Sequence, residues 1–162
     1  MKRLVPPSPI RKGIIAGNFD VIHPGYVRFF ADAKAKACDY LIVALHVDPT
    51  IERPHKAKPI LSAEERTETL LALRHVDEVV YYNTEAELVG LLKTTRPDVR
   101  ILGSDYENKS YTGDDLGIEA YFHHRNHDWS TTRFKNEITE QVLRQRTEEG
   151  KVEKKDFNPP VC

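Results

Sequence analysis

The sequence predicts an α/β fold, a parallel sheet of about five strands with helices on both faces. Three observations predict it. Short apolar runs of strand length alternate with longer stretches of helical periodicity. The run Leu41-Ile42-Val43-Ala44-Leu45 is apolar without alternation, as in a strand covered on both faces. Hydroxyl-to-glutamate spacings typical of helix starts stand ahead of two of the periodic stretches.

Taken in order, residues 1–11 are proline-rich and basic and read as an extended lead-in. A strand is expected over 12–17, then a helix over about 24–37 with Tyr26, Phe29, Phe30, Ala33 and Ala37 at apolar spacing. A second strand starts at Tyr40. Residues 46–61 form a polar loop whose centre, Arg53-Pro54-His55-Lys56-Ala57-Lys58-Pro59, cannot hold regular structure between its prolines. Ser62-Ala63-Glu64-Glu65 is a capping box opening a helix that runs to about Arg74. Glu78-Val79-Val80-Tyr81 is a strand, and Thr84-Glu85-Ala86-Glu87 reads as a second capping box. Its helix turns Leu88, Leu91 and Leu92 inward and is followed by a strand at Val99-Arg100-Ile101-Leu102. A polar loop over 103–117 leads to a short strand at Glu119-Ala120-Tyr121-Phe122. The last helix begins near Ser130 with Phe134, Ile138 and Val142 on one face. The folded domain is therefore expected over 12–145, with a charged tail over 146–162.

Composition bounds the function classes. The 24 basic and 25 acidic residues leave a net charge of −1, so nothing global draws the chain to nucleic acid or to a membrane surface. Cys38 and Cys162 match neither a disulfide framework nor a metal site, and a reducing compartment is expected. Met1-Lys2-Arg3 runs into prolines rather than an apolar segment, and no apolar run approaches membrane length. A cytoplasmic location is expected from these features. His123, His124 and His127 have no shared ligand face or completing carboxylate, so no metal site is assigned to them.

In a parallel α/β sheet, ligands bind at the carboxyl edge of the strands. The loops 17–25, 46–61, 103–117 and 123–130 all follow strands and are expected on that edge. The first, Gly17-Asn18-Phe19-Asp20-Val21-Ile22-His23-Pro24-Gly25-Tyr26, is a glycine turn leading into a helix start. Exposed N–H groups and the partial positive charge of a helix N-terminus suit a phosphate there, and His23 can donate to a charged phosphoryl oxygen. The other loops bring His55, Lys56 and Lys58, then Gly103-Ser104-Asp105, then Arg125 with Ser130-Thr131-Thr132 at a second helix start. Lysines, an arginine and two helix N-termini around one cleft suit a triphosphate.

Gly17-x-Phe19-Asp20-x-x-His23-x-Gly25 resembles the signature of the cytidylyltransferase-like nucleotidyltransferases, and Ser130-Thr131-Thr132 resembles their second signature. The likeness runs from about residue 12 to 138 and takes in Ala63-Glu64-Glu65-Arg66, Arg74-His75-Val76-Asp77-Glu78-Val79-Val80, Leu102-Gly103-Ser104-Asp105-Tyr106 and Arg125. It is nearest the glycerol-3-phosphate cytidylyltransferase branch; heptose-1-phosphate and phosphopantetheine adenylyltransferases belong to the same superfamily. The resemblance implies a Rossmann-like nucleotidyltransferase fold and transfer of a nucleotidyl group from a nucleoside triphosphate to a small phosphorylated acceptor, releasing pyrophosphate. It implies Mg²⁺ with the triphosphate, CTP as donor and a homodimer; from the charge balance, no nucleic-acid or membrane partner is expected. ATP as donor to a sugar phosphate, or nucleotide binding without catalysis, are the alternatives.

Carried onto this chain, the resemblance assigns catalysis to His23, Lys58 and Arg125. It assigns nucleotide binding to Gly17, Asn18, Phe19, Gly25, Tyr26, Asp105, Ser130, Thr131 and Thr132. Asp20, His46, Lys56, Arg66 and Arg74 are expected on the acceptor side. The chain departs from the family at one point. The family motif is His-x-Gly-His, and the second histidine is Tyr26 here. A phenol stays neutral near pH 7, and losing a transition-state donor costs about 3 kcal/mol.

Overall fold

The computed structural model describes residues 9–148. Its strands are β1 (Lys12–Gly17), β2 (Tyr40–His46), β3 (Glu78–Tyr82), β4 (Val99–Gly103) and β5 (Glu119–His123). Its α-helices are α1 (Pro24–Lys36), α2 (Ala63–Leu71), α3 (Glu85–Thr95) and α4 (Thr131–Glu148). All strand pairs are parallel, in the order β3-β2-β1-β4-β5. The fold class read from the sequence is the one observed. The tail expected over 146–162 overlaps the end of α4 and otherwise lies outside the described residues.

Two apolar layers hold the sheet. Ile15, Val43, Leu45, Val99 and Ile101 pack under Phe30 and Ala33 of α1 and Leu70 of α2. Ile14, Ile42, Ala44 and Tyr82 pack under Leu88 and Leu92 of α3 on the other face. Each such large apolar side chain contributes about 1.5–3 kcal/mol by leaving water. Gly13 is required by the packing: a Cβ there would lie 2.7 Å from Cys38 Sγ and 2.7 Å from Ile101 Cδ1.

The helix starts obey local chemistry with one correction. Ser62 Oγ accepts from Glu65 N, and Glu65 Oε2 accepts from Ser62 N, a complete capping box. Thr84 Oγ1 accepts from Glu87 N, but Glu87 reaches one residue further back, to Asn83 N at 2.7 Å. That box is therefore half-formed. Helix α2 also ends at Leu71, short of Arg74, in a tight turn that returns the chain to β3.

The chain divides into two compact units at Asp128 and Trp129. In the second, Ser130 Oγ caps α4 by accepting from Arg133 N at 3.1 Å, and Arg133 lies 5.6 Å from the Trp129 ring centre. Within α4, Ile138 and Val142 are exposed. No helix of the described residues is long and apolar enough to cross a membrane.

Candidate nucleotide-transfer site

The site is built from the carboxyl edge of β1. After Gly17 the chain turns sharply, and Phe19 takes a left-handed φ of 43°. That conformation is strained for a bulky residue, so the surroundings must impose it. The Phe19 ring folds back over Gly17, where a Cβ would stand 3.0 Å from the ring. Glycine at 17 is what lets the turn close.

Two buried residues, Asp20 and Arg66, hold this turn, and His46 braces the loop after β2. Asp20 is buried, and its Oδ1 accepts from Ile60 N at 2.9 Å and Leu61 N at 3.0 Å. The carboxylate thus anchors the far end of the lysine loop beside the β1 turn. Arg66 is 1% exposed, and its guanidinium donates to Asn18 O, Asn18 Oδ1, His46 O, Val47 O and Ser62 O at 2.6–3.2 Å. It ties the loops after β1 and β2 to the start of α2. His46 is buried, stacked on Tyr82 at 4.6 Å, with Nε2 against Asn83 O at 2.9 Å. Asp20, His46 and Arg66, expected on the acceptor side, are committed to internal bonds. They support the site from within the protein.

His23 is the N-cap of α1, with Pro24 at the first helical position. Its Nδ1 accepts from Gly25 N at 3.1 Å. An accepting Nδ1 carries no proton, so in the neutral ring the proton sits on Nε2 as a donor. Burial, then the neighbouring His127, holds the His23 pKa below its usual value and keeps the ring neutral near pH 7. Gly25 is buried beside it. Tyr26 stacks on His23 with ring centres 4.3 Å apart and meets Phe19 edge-on at 5.2 Å. The aromatic that replaces the family's second histidine is therefore also a packing residue of the turn.

The basic groups expected at the site lie exposed. Lys56 and Lys58 are exposed, and Lys58 Nζ is 3.9 Å from Asp48 Oδ2. Arg125 Nη2 donates to Asp105 Oδ2 at 2.9 Å, joining the loops after β4 and β5. Arg74 lies exposed in a groove on the α1 flank with Val27, Phe30, Leu73 and His75. Ser130, Thr131 and Thr132 open α4 in the second unit.

One cluster beneath the site was not legible in the sequence. Asp32 of α1 accepts from Tyr121 Oη at 2.7 Å, pairs with His123 Nδ1 at 2.6 Å and with Lys36 Nζ at 2.7 Å. Burial raises the Asp32 pKa, but bonds from His123, Lys36 and Tyr121 outweigh it and bring it to about 2. These partners come from α1 and β5, which no local spacing connects. A folded-state pKa below the unfolded one gives stability that is present above about pH 4 and lost as pH falls toward 2. We expect Asp32→Asn to cost about 2 kcal/mol at pH 7 and to flatten the wild-type loss between pH 4 and 2. Urea midpoints across that range check it; an unchanged acid limb in the variant would refute it.

A parallel sheet with a glycine turn, a capping histidine and a basic loop at its carboxyl edge defines the nucleotidyltransferase class of α/β protein. The chain belongs to the cytidylyltransferase-like family, whose profile matches residues 14–144. It is 39% identical over 112 residues to the bifunctional protein HldE of Gluconacetobacter diazotrophicus, covering 68% of this chain and 23% of that protein. It is 38% identical over 96 residues to FAD synthase of Ferroglobus placidus, covering 59% of this chain and 60% of that one. The chain thus spans less than a quarter of the HldE protein. Among solved structures, the lipopolysaccharide core biosynthesis protein of Thermoplasma volcanium shares the fold, with a TM-score of 0.58 at 23% identity over 75% of this chain and 100% of that one.

Proposed function

We propose that the chain transfers an adenylyl group from ATP to a small phosphorylated acceptor of the sugar-phosphate class, releasing pyrophosphate. The family supports nucleotidyl transfer. A relative named for the synthesis of FAD, which contains an adenylyl group, favours ATP over the CTP expected from the glycerol-3-phosphate branch. The observation that carries the reading is His23: a neutral, buried imidazole at a helix N-terminus, with Nδ1 taken and the proton on Nε2.

In the proposed step an oxygen of the acceptor phosphate attacks the α-phosphorus. The new O–P bond forms as the bond from that phosphorus to the bridging oxygen breaks, and pyrophosphate leaves. The acceptor oxygen is already ionised, so no general base is required. His23 Nε2–H and the α1 N-terminus stabilise charge on the α-phosphate. Lys58 and Lys56 neutralise charge between donor and acceptor, and Arg125 receives the leaving pyrophosphate. Asn18, Phe19 and Asp105 line the nucleoside side. Among the described residues no three His, Cys, Asp or Glu side chains could hold a metal together. Mg²⁺, which the family likeness implies, would come with the triphosphate and would supply charge neutralisation on its phosphates.

The test crosses ATP and CTP with sugar 1-phosphates and glycerol 3-phosphate, reading melting temperature and pyrophosphate release. Mg-ATP at a hundredfold excess over Kd should raise the melting temperature by about 5–10 °C, since it binds only the native state. Stabilisation and turnover with CTP alone would restore the cytidylyl reading. Stabilisation by ATP with no turnover on any acceptor would favour a nucleotide-binding protein in which Tyr26 has ended catalysis.

A further inference from the structure

Arg100 stands in β4 where a buried strand calls for an apolar side chain. It pairs in register with Ile14 of β1 and Ala120 of β5. Side chains alternate along a strand, so it shares the α3 face with Ile14, while Val99 and Ile101 face α1. The residue is 5% exposed. Its Nε and Nη1 are sealed from solvent without a hydrogen-bond partner, and its side chain makes no hydrogen bond among the described residues. A guanidinium keeps its charge at any physiological pH, and a buried charge is ordinarily paired.

Among the described residues no counter-ion lies at bonding distance. The groups that act on Arg100 electrostatically are Tyr82, Tyr111, Glu85 and Tyr106. Three are neutral phenols. The fourth, Glu85, is committed elsewhere: Oε1 accepts from Arg53 Nη2 at 2.9 Å, and Oε2 accepts from Thr112 Oγ1. All four lie at the carboxyl edge of the sheet. Tyr82 ends β3, Glu85 opens α3, and Tyr106 and Tyr111 belong to the loop after β4. The long side chain of Arg100 therefore reaches toward the same edge as His23, but under the face covered by α3.

We propose that Arg100 anchors an anion subsite, which holds a phosphate or carboxylate of the acceptor by charge-assisted hydrogen bonds. A planar guanidinium with adjacent donors matches either oxyanion in a two-point contact. Tyr82, Tyr106 and Tyr111, whose charge state Arg100 senses, belong to the same edge of the sheet. That the anion belongs to the acceptor rests on the adenylyl-transfer reading; the subsite itself rests on the unpaired guanidinium. It restricts acceptors to those with an anionic group that reaches the α3 face while the reacting phosphate lies at the α1 turn.

The experiment measures the melting temperature of the full chain in graded inorganic phosphate or acetate, balanced with chloride at constant ionic strength, with and without saturating Mg-ATP. Phosphate should stabilise the wild type beyond chloride in both settings. Arg100→Met should weaken the apparent phosphate affinity by about tenfold or more, the loss expected for a charged hydrogen-bond partner, while leaving the ATP response intact. Glu85→Gln, which removes a carboxylate that acts on Arg100, should strengthen phosphate binding severalfold. A response to acetate as strong as that to phosphate supports the subsite as a carboxylate site. A wild type no more stabilised by phosphate than by chloride overturns the proposal. So does a phosphate response unchanged in Arg100→Met, which would place the anion on Lys56, Lys58 or Arg125. If Arg100→Met does not fold, an unchanged phosphate response in Glu85→Gln overturns the proposal on its own. Loss of the ATP response in the wild type would defeat the adenylyl-transfer reading without touching the phosphate result.

Discussion

Replacing His23 by alanine is expected to lower kcat by about 100- to 1000-fold while leaving nucleotide affinity within about tenfold. The imidazole is 5% exposed, its Nδ1 takes the Gly25 N–H, and its donor nitrogen is Nε2. In the proposed step a neutral donor of this kind acts chiefly where negative charge grows, on the α-phosphate. The alanine variant also loses a helix cap, worth about 0.5–2 kcal/mol. His23→Asn separates the two roles, because asparagine caps well but cannot place a donor at the Nε2 position. It should recover the melting temperature and not the rate. Equal losses in binding and turnover would make His23 a binding residue, and wild-type turnover would remove it from the mechanism. Because burial and His127 hold the pKa down, the ring stays neutral as pH falls into the ordinary histidine range. Its contribution to stability is present above about pH 6.5 and lost as pH falls through the lower folded-state value.

Arg66→Met should destabilise the fold by about 3–5 kcal/mol, the largest single loss expected among these side chains. The guanidinium satisfies carbonyls of Asn18, His46, Val47 and Ser62 from three separate segments. Methionine fills the volume but leaves those acceptors without donors. Lysine keeps the charge but lacks the planar fork, and should recover only part of the loss. Urea unfolding with an unchanged m-value measures this directly. A cost below about 1 kcal/mol would show that water replaces the clamp. Whatever folded variant remains should bind nucleotide more weakly, since Asn18 sits in the turn beside His23.

Arg66 also shows where reading the sequence stops. Its place after Ser62-Ala63-Glu64-Glu65 fixes it on the first turn of α2, and the family likeness drew it toward the acceptor. The side chain instead points inward, because one fork can meet carbonyls of two loops that the sheet brings side by side. Asp20 behaves alike: the motif is visible, but its bond to Ile60 N and Leu61 N exists only because the lysine loop returns to β1. Thr84 and Glu87 misled more gently, through a one-residue shift of the glutamate contact.

Local chemistry by itself determined the strands, the helix starts, the parallel architecture and so which loops stand at the carboxyl edge. These depend on periodicity, prolines and caps, all within a few residues of one another. It also placed His23 at a helix N-terminus, because Pro24 and Gly25 admit little else. Tertiary structure alone decided which polar side chains face a ligand and which hold the protein together. It set Arg100 in the sheet without a hydrogen-bond partner among the described residues, joined Asp32 to Tyr121 and His123 across 89 and 91 residues, and turned Arg66 into a clamp. The physical reason is that a polar side chain's role depends on what its charge meets once water is excluded, and contacts between distant segments settle that.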